Sequence, residues 1–398
     1  MTIISKGIRP TTSLIILVGG ILNLFCAHPC LANDELVTLQ ANSVLSSGTV
    51  TFPVEHEAEN IFPVSVKIMN EGAEIATGVH VYKNHDFSSI KNMVDDVLEG
   101  ITDDRQKAEA LWQFVMDYSY HYYPATASGW LHDPVTYFNS FGYGFCDDSA
   151  VVLSRLWRQV GFESRVWDVM GHVIPEVYIN GKWSMYDPDL NVVCKIGDGQ
   201  PLGFHELINN RELLIESYHV YSNPAAVADM FATTANNSRV PDRPYVEKRG
   251  TFALRPGEII NLYFQKKGPF FRDIYEEESA PPTYSNATLE WDLVRELEKS
   301  EKLDQEIFFN LEKRENGGLV VINPSRSGTI NVKRELPLIS LSETIELSLD
   351  LKEGGTLEIQ AKTRDGNKTL YRKKGAYKGD LKLKVPQGLL LGKTDYSY

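Results

Sequence analysis

The chain has 398 residues, of which 42% are apolar, 11% aromatic and 23% charged, and its formal net charge is -13. At about 150 residues per domain this allows roughly two to three domains, and the composition excludes a disordered, collagen-like or multi-span membrane chain. So acidic a chain repels polyanions, which excludes nucleic acid as a partner.

At the N-terminus Lys6 and Arg9 precede an apolar stretch from Leu14 to Ala27 that is too short and interrupted to span a bilayer. Cys30-Leu31-Ala32 places small residues at the minus-three and minus-one positions of a cut after Ala32. Residues 1–32 therefore read as a secretory signal, with an uncleaved anchor as the alternative. Cleavage removes two cations and leaves a charge of -15. The expected location is secreted, periplasmic or cell-surface, with no transmembrane segment in the mature chain. Only Cys146 and Cys194 remain, too few for a disulfide scaffold, although a bond between them stays open.

Residues 33–85 alternate or run β-branched, as in Thr49-Val50-Thr51-Phe52 and Val64-Ser65-Val66-Lys67-Ile68, and predict a small N-terminal β module with a turn at Asn70-Glu71-Gly72. The period then changes. Phe87, Ile90, Val94, Val97 and Leu98 share one helix face, and Thr102-Asp103 caps a second helix with the inner stripe Ala108, Leu111, Trp112, Val115 and Tyr118. A glycine- and aromatic-rich loop from Tyr122 to Phe145 leads to a third helix from Cys146 to about Val160, which Gly161 ends. Strands follow at Arg165 to Met170, His172 to Ile179 and Lys182 to Tyr186, the last two joined by the hairpin signal Asn180-Gly181. Trp112, Trp157, Trp167 and Trp183 fall on apolar periodicities and read as core.

Residues 223–249, rich in Ala, Asn, Ser and Pro, read as a linker or loosely packed connection. From residue 250 to 398 turns every eight to twelve residues predict a C-terminal β-sandwich, with Glu290 to Glu312 either an inserted helix or strands around a charged loop. The stretch from Leu341 to Tyr398 carries 11 Lys and Arg against 8 Asp and Glu and reads as a solvated face. The fold class is multidomain α+β, with residues 86–222 as the α+β core.

The chemistry concentrates between Tyr137 and Asp189. A cysteine in the first turn of a helix has its thiolate stabilised by unpaired N–H groups and the helix dipole, and Cys146 is placed there. Gly142 and Gly144 let the backbone bend and approach a substrate. The thiolate needs a base and the base an orienting partner. With a two-residue turn at Asn180-Gly181, Ile179 pairs with Lys182, and counting back sets His172 opposite Asp189 and Ile174 opposite Asp187. Side-chain parity puts His172, Asp187 and Asp189 on one face, with either carboxylate in reach of the ring. A one-residue change of register would send His172 to the opposite face.

These residues carry a resemblance. Gly144-Phe145-Cys146-Asp147-Asp148-Ser149-Ala150, then Gly171-His172 with Glu176-Val177, then Gly181-Lys182-Trp183 and Tyr186-Asp187-Pro188, resembles the core of the transglutaminase-like superfamily, a papain-type thiol fold, over about residues 86–189. The resemblance implies Cys146 as nucleophile, His172 as general base and acid, and Asp187 as the group that orients the ring, with Asp189 as second choice. It also implies acyl chemistry on a carboxamide through a thioester that water or an amine resolves. The oxyanion donor would be partly the Cys146 backbone N–H, with Trp130 or Tyr143 as side-chain candidates. The absence of an acidic loop with calcium-ligand spacing argues against the calcium-activated type.

His56, His80, His85, His121, His132, His205 and His219 show no pair at helical metal-ligand spacing, so neither zinc nor any other metal is expected. Gly142-Tyr143-Gly144 is not a dinucleotide loop, because Asp147 stands at the third glycine position, and no cofactor is expected. The Glu276-Glu277-Glu278 run beside Pro281-Pro282 reads as a solvated loop. The leading expectation is a secreted cysteine-dependent amidase, peptidase or acyltransferase acting on a peptide, a protein or an envelope polymer, with hydrolysis favoured. The alternative is a non-catalytic extracellular adhesion or scaffold protein that binds polysaccharide or protein through its β modules.

Overall fold

A computed structural model of the protein describes residues 2–7, 11–19, 37–41, 47–55, 64–73, 75–81, 85–121, 132–140, 143–197, 199–217, 223–233, 237–242, 247–264, 287–300, 303, 307–315, 318–335, 343–363, 366–386, 389 and 395–397. Six strands come first: β1 (Thr2–Gly7), β2 (Thr11–Gly19), β3 (Val37–Ala41), β4 (Ser47–Glu55), β5 (Val64–Asn70) and β6 (Ala76–Val81). Strands β1 and β2 lie within the segment read as an export signal. The turn after β5 is held by Asn70, whose side chain accepts from the Gly72 N–H at 2.9 Å and donates to the Leu254 carbonyl at 2.9 Å.

Helices α1 (Ile90–Val97) and α2 (Asp104–Tyr118) start on side-chain caps. Ser89 accepts from the Asn92 N–H, and Asp103 accepts from the Gln106 N–H. The expected stripes are buried except at Val97, Leu98 and Tyr118, which are partly exposed, and Met93 and Phe114 join them. Strand β7 (Tyr120–His121), helix α3 (Pro134–Ser140) and strand β8 (Tyr143–Gly144) lead into α4 (Cys146–Val160). Gly161 ends α4 in the left-handed conformation, φ 96°, with its N–H on the Arg158 and Trp157 carbonyls.

The hairpin strands are β9 (Glu163–Val169), β10 (His172–Ile179) and β11 (Lys182–Met185). Asn180 at φ 50° and Gly181 at φ 81° form the tight two-residue turn, and Ile179 pairs with Lys182 as the count required. The ladder continues through Tyr178 with Trp183, Val177 with Ser184 and Glu176 with Met185. After β12 (Lys195–Ile196) and β13 (Gln200–Pro201) come α5 (Phe204–Leu207), α6 (Arg211–Ser217), α7 (Pro224–Ala232) and β14 (Ser238–Arg239), and β14 completes the antiparallel sheet β11-β10-β9-β14.

This sheet has a core on each side, as its period of two requires. Val177 and Ile179 of β10 pack into a cluster with Met93, Leu111, Phe114, Leu153 and Trp157. Ile174 of the same strand packs with Met185, Leu202, Phe204, Val227 and Phe231. Glu176 shares the parity of Ile174 and is fully buried. Its carboxylate takes Arg165 Nε at 2.6 Å, Trp167 Nε1 at 2.6 Å and the Phe204 backbone N–H. The Arg165 guanidinium lies 3.8 Å from the Trp183 ring centroid. Trp167 and Trp183, expected as core, are therefore half-buried partners of a buried ion pair, while Trp112 and Trp157 are core.

Two expectations about organisation change. Residues 223–249 are not merely a connection, because α7 lies within them and buries Val227, Ala228 and Phe231. Asn223 accepts from the Ala226 N–H as N-cap, and Pro224 in the first turn starts the helix instead of breaking it. Nor are the strands before α1 and after residue 250 separate sets. Strands β15 (Phe252–Leu254), β16 (Ile259–Phe264) and β17 (Ala287–Glu290) form the sheets β17-β16-β5-β3 and β15-β6-β1-β2-β4. The chain enters and leaves the core at one point, where Gly250 N–H donates to Ser88 O at 2.7 Å. A Cβ on Gly250 would lie 2.5 Å from Phe87 O, so the approach requires glycine.

Between Glu290 and Glu312 both expected forms occur: α8 (Leu293–Lys299), then β18 (Phe308–Phe309) and the start of β19 (Leu311–Lys313). The buried Arg255–Glu296 ion pair ties α8 to β15, and Trp291 Nε1 donates to the same carboxylate. The remaining strands are β20 (Leu319–Val321), β21 (Thr329–Ile330), β22 (Lys333–Glu335), β23 (Thr344–Leu351), β24 (Thr356–Thr363), β25 (Gly366–Lys374), β26 (Tyr377–Lys384) and β27 (Asp395–Ser397). They pair as two-stranded ribbons, the longest being β23-β26 and β24-β25. The Glu276-Glu277-Glu278 run lies outside the described residues, as do Cys26 and Cys30. Among the described residues no helix is long and apolar enough to cross a membrane.

Because Phe231 is fully buried, replacing it with alanine should cost about 3–5 kcal/mol, whereas the same change in a loose connection would cost almost nothing. Chemical unfolding of Phe231→Ala against the parent chain measures the difference.

Candidate active site

Cys146 is the first residue of α4, where backbone N–H groups have no acceptor within the helix. Phe145 precedes it in an extended conformation, and its N–H donates to Asp148 Oδ2 at 3.0 Å, so the third residue of the helix caps its entry. Gly144 is required here for space: a Cβ would stand 2.4 Å from Asp148 Oδ2. The missing side chain makes room for the cap.

His172, at the start of β10, is 4% exposed. Its Nε2 lies 2.7 Å from Asp187 Oδ2. Asp187 is fully buried and held from every direction. Its Oδ1 accepts from the N–H groups of Asp189 at 2.9 Å and Leu190 at 3.2 Å. Its backbone forms a two-way bridge with Val192, and its carbonyl accepts from Trp112 Nε1 at 3.0 Å. With Nε2 committed to Asp187, Nδ1 is the ring nitrogen left for Cys146. The Cys146 sulfur, a His172 nitrogen and an Asp189 oxygen all lie within 4.8 Å of one another.

Both carboxylates stand beside the His172 ring, but not through the counted pairs: the β10–β11 ladder ends at Glu176 with Met185, and Asp187 is bridged to Val192 instead of facing Ile174. Their contacts differ: Asp187 bonds the ring, whereas Asp189 Oδ2 is 3.9 Å from Nδ1. Burial alone would drive His172 towards its neutral form. The adjacent Asp187 charge and hydrogen bond, with a smaller contribution from Cys146, outweigh it and hold the ring well above the ordinary histidine value. The Phe231 ring of α7 lies 6.0 Å from the His172 ring, so the stretch expected as a linker forms part of the site wall.

Cys146 is partly exposed and Cys194 is buried in the second core cluster, and no disulfide joins the two. Trp130 lies outside the described residues, as does the side chain of Tyr143.

Two histidines set aside in the sequence stand near the start of α4. His121 Nδ1 lies 2.8 and 3.0 Å from the two oxygens of Asp189. His132 Nε2 lies 3.2 Å from Asp147 Oδ2 and 3.5 Å from Asp148 Oδ1. Burial, the neighbouring Asp147 charge and the Asp189 charge raise Asp148 to about 7, against opposing pulls from the Phe145 N–H and His132. The His132 contact holds Asp147 below the usual carboxylate range. Neither group is assigned a cation, because the ion pairs and hydrogen bonds described account for these donor atoms. The signal for His121 is spatial: β7 pairs with β8 and sets His121 opposite Gly144, two residues before the thiol.

Residues 91–188 match the family model described as the transglutaminase-like superfamily. Over this segment, about a quarter of the chain, the protein is similar to the transglutaminase-like superfamily. The match takes in Cys146, His172 and Asp187 and ends one residue before Asp189. No curated protein and no solved structure matches the chain at a significant level.

An acid raised in the folded state leaves the native protein with more bound protons than the unfolded one between the two values. Asp148 should therefore erode stability as pH rises from about 4 to about 7. Asp148→Asn should flatten that slope, which denaturant midpoints at several pH values will measure. His172 gives the same sign over a higher window: its contribution is complete below about 6.5 and is lost as pH rises through its elevated folded value. Ring-proton NMR should find His172 titrating above the ordinary histidine value in the parent and shifted downward in Asp187→Asn.

Proposed function

We propose that the protein is a cysteine-dependent enzyme that transfers or hydrolyses the acyl group of an amide, with Cys146 as nucleophile, His172 as acid and base, and Asp187 as the group that orients the ring. The observation that carries this reading is the buried His172 Nε2–Asp187 contact at 2.7 Å, which leaves Nδ1 for the thiol. A histidine whose carboxylate partner favours the charged ring suits a thiolate–imidazolium resting pair.

The thiolate attacks the amide carbonyl carbon, and the electron pair of the C=O bond moves to oxygen. The Cys146 N–H at the helix start stabilises that oxyanion. His172 gives its Nδ1 proton to the departing nitrogen as the C–N bond breaks, leaving a thioester and a neutral ring. Water, or an acceptor amine, then attacks the thioester carbon while His172 takes its proton. The C–S bond breaks and the thiolate–imidazolium pair returns.

Hydrolysis is favoured, because no amine-acceptor site is recognisable in the sequence. In this reading residues 1–32 are a signal removed on export to a secreted, periplasmic or cell-surface location. The substrate is a peptide, a protein or the peptide part of an envelope polymer. The C-terminal strands form a sandwich-like accessory region that can hold such a polymer near the site.

The purified chain should label at Cys146 with a haloacetamide far faster than a free cysteine at neutral pH, and His172→Ala should slow labelling at least about ten-fold. Peptide amides with and without an added amine then separate hydrolysis from transfer. Labelling of Cys146 at the free-cysteine rate, unaffected by His172→Ala, would support the non-catalytic scaffold instead.

A further inference from the structure

Outside the Cys146–His172–Asp187 set, the most organised group of chemistry-bearing side chains is the pair formed by His121 and Asp189. Asp189 is 5% exposed, and its carboxylate stands 3.9 Å from His172 Nδ1, on the ring edge that faces the thiol. A carboxylate at that place opposes catalysis in two ways. Its charge disfavours the thiolate within 4.8 Å of it, and its oxygen competes with sulfur for the Nδ1 proton. Asp187 already orients the ring, so Asp189 is not needed for that task.

His121 answers both problems. Its Nδ1 spans both Asp189 oxygens at 2.8 and 3.0 Å, which holds the carboxylate back from Nδ1. The ring is about one-fifth exposed, lies 5.6 Å from the Phe145 ring, and is carried by the β7–β8 pairing that sets it opposite Gly144. The ring therefore reaches solvent while its partner stays buried. We infer that His121 is a positioning residue of this site, acting through Asp189 to restrain a buried carboxylate and to balance its charge against the Cys146 thiolate.

This inference rests on the thiol-enzyme reading. The titratable groups around the thiol are His172 on β10, Asp187 and Asp189 in the turn after β11, and His121 on β7. Among the described residues, Asp147 and Asp148 in the first turn of α4 and His132 just before α3 complete the set. Of the three histidines, His121 is the one within hydrogen-bond distance of the carboxylate that faces Nδ1. His132 pairs with the two acids of α4.

The test is the rate of Cys146 alkylation by iodoacetamide against pH in the full chain and in three variants: His121→Ala, Asp189→Asn and the double substitution. His121→Ala should slow labelling about ten-fold at neutral pH and move the acid limb of the profile up by about one pH unit, because the carboxylate is then uncompensated. Asp189→Asn should not slow labelling. The double variant should recover most of the rate lost in His121→Ala, a reversal that simple loosening of the site would not produce.

Thermal melting checks that each variant folds. If His121→Ala does not fold, His121→Gln replaces it, retaining a donor without the charge and with the same direction of shift. A His121 variant that labels at the parent rate, or a double variant no faster than the single His121 change, overturns the inference while leaving the thiol-enzyme reading intact. A parent chain that labels only at the free-cysteine rate overturns both.

Discussion

The arrangement around Cys146 depends on one hydrogen bond made away from water. A histidine placed at 4% exposure would ordinarily lose its charge, and the contact between its Nε2 and Asp187 Oδ2 reverses that outcome. The bond is specific because Asp187 has no freedom left. One oxygen is filled by two backbone N–H groups, the backbone is bridged to Val192, and the carbonyl is tied to Trp112 of α2. The ring edge that remains is thereby aimed at the helix carrying the thiol. Fixing one nitrogen of an imidazole determines what the other can do.

The same economy governs the supports. Glu176, one strand-period pair from His172 on the same face of β10, binds no part of the thiol site. It gathers Arg165, Trp167 and the first N–H of α5, so the sheet cannot slide past the helices behind it. Asp148 caps the helix entry and needs Gly144 to be bare of a side chain. Much of what looks like a reactive motif in the sequence is thus devoted to holding Cys146 and His172 in place.

What was legible in the sequence follows from range. The Asn180-Gly181 turn is local, and a two-residue turn fixes the register as far as Glu176 with Met185; beyond that the chain leaves the ladder, and Asp187 and Asp189 reach His172 from the turn bridged by Asp187 and Val192. The caps Asp103 and Gly161 and the apolar stripe of α2 were legible for the same reason. His121 was not, because β7 is two residues long and its partner β8 comes only after α3, leaving no period to read. Helix α7 was missed because alanine, asparagine and proline resemble a connection when Pro224 is not recognised as the first turn after an asparagine cap. The division of Asp187 and Asp189 into two roles depended on tenths of a nanometre, which register does not supply.

The meeting of Ser88 and Gly250 has a bearing on how the molecule is made. Strands β5 and β6 are synthesised early, yet their neighbours β16 and β15 emerge only after the whole transglutaminase-like segment has been translated. The outer sheets are therefore assembled from distant parts of the chain, and closing so long an excursion is entropically slow unless something shortens it. The folded core does so by bringing its own two ends within one hydrogen bond of each other. The domain that carries the thiol thus also serves as the clamp on which the surrounding sheets are finished, so an error in its folding would strand both halves of the chain at once.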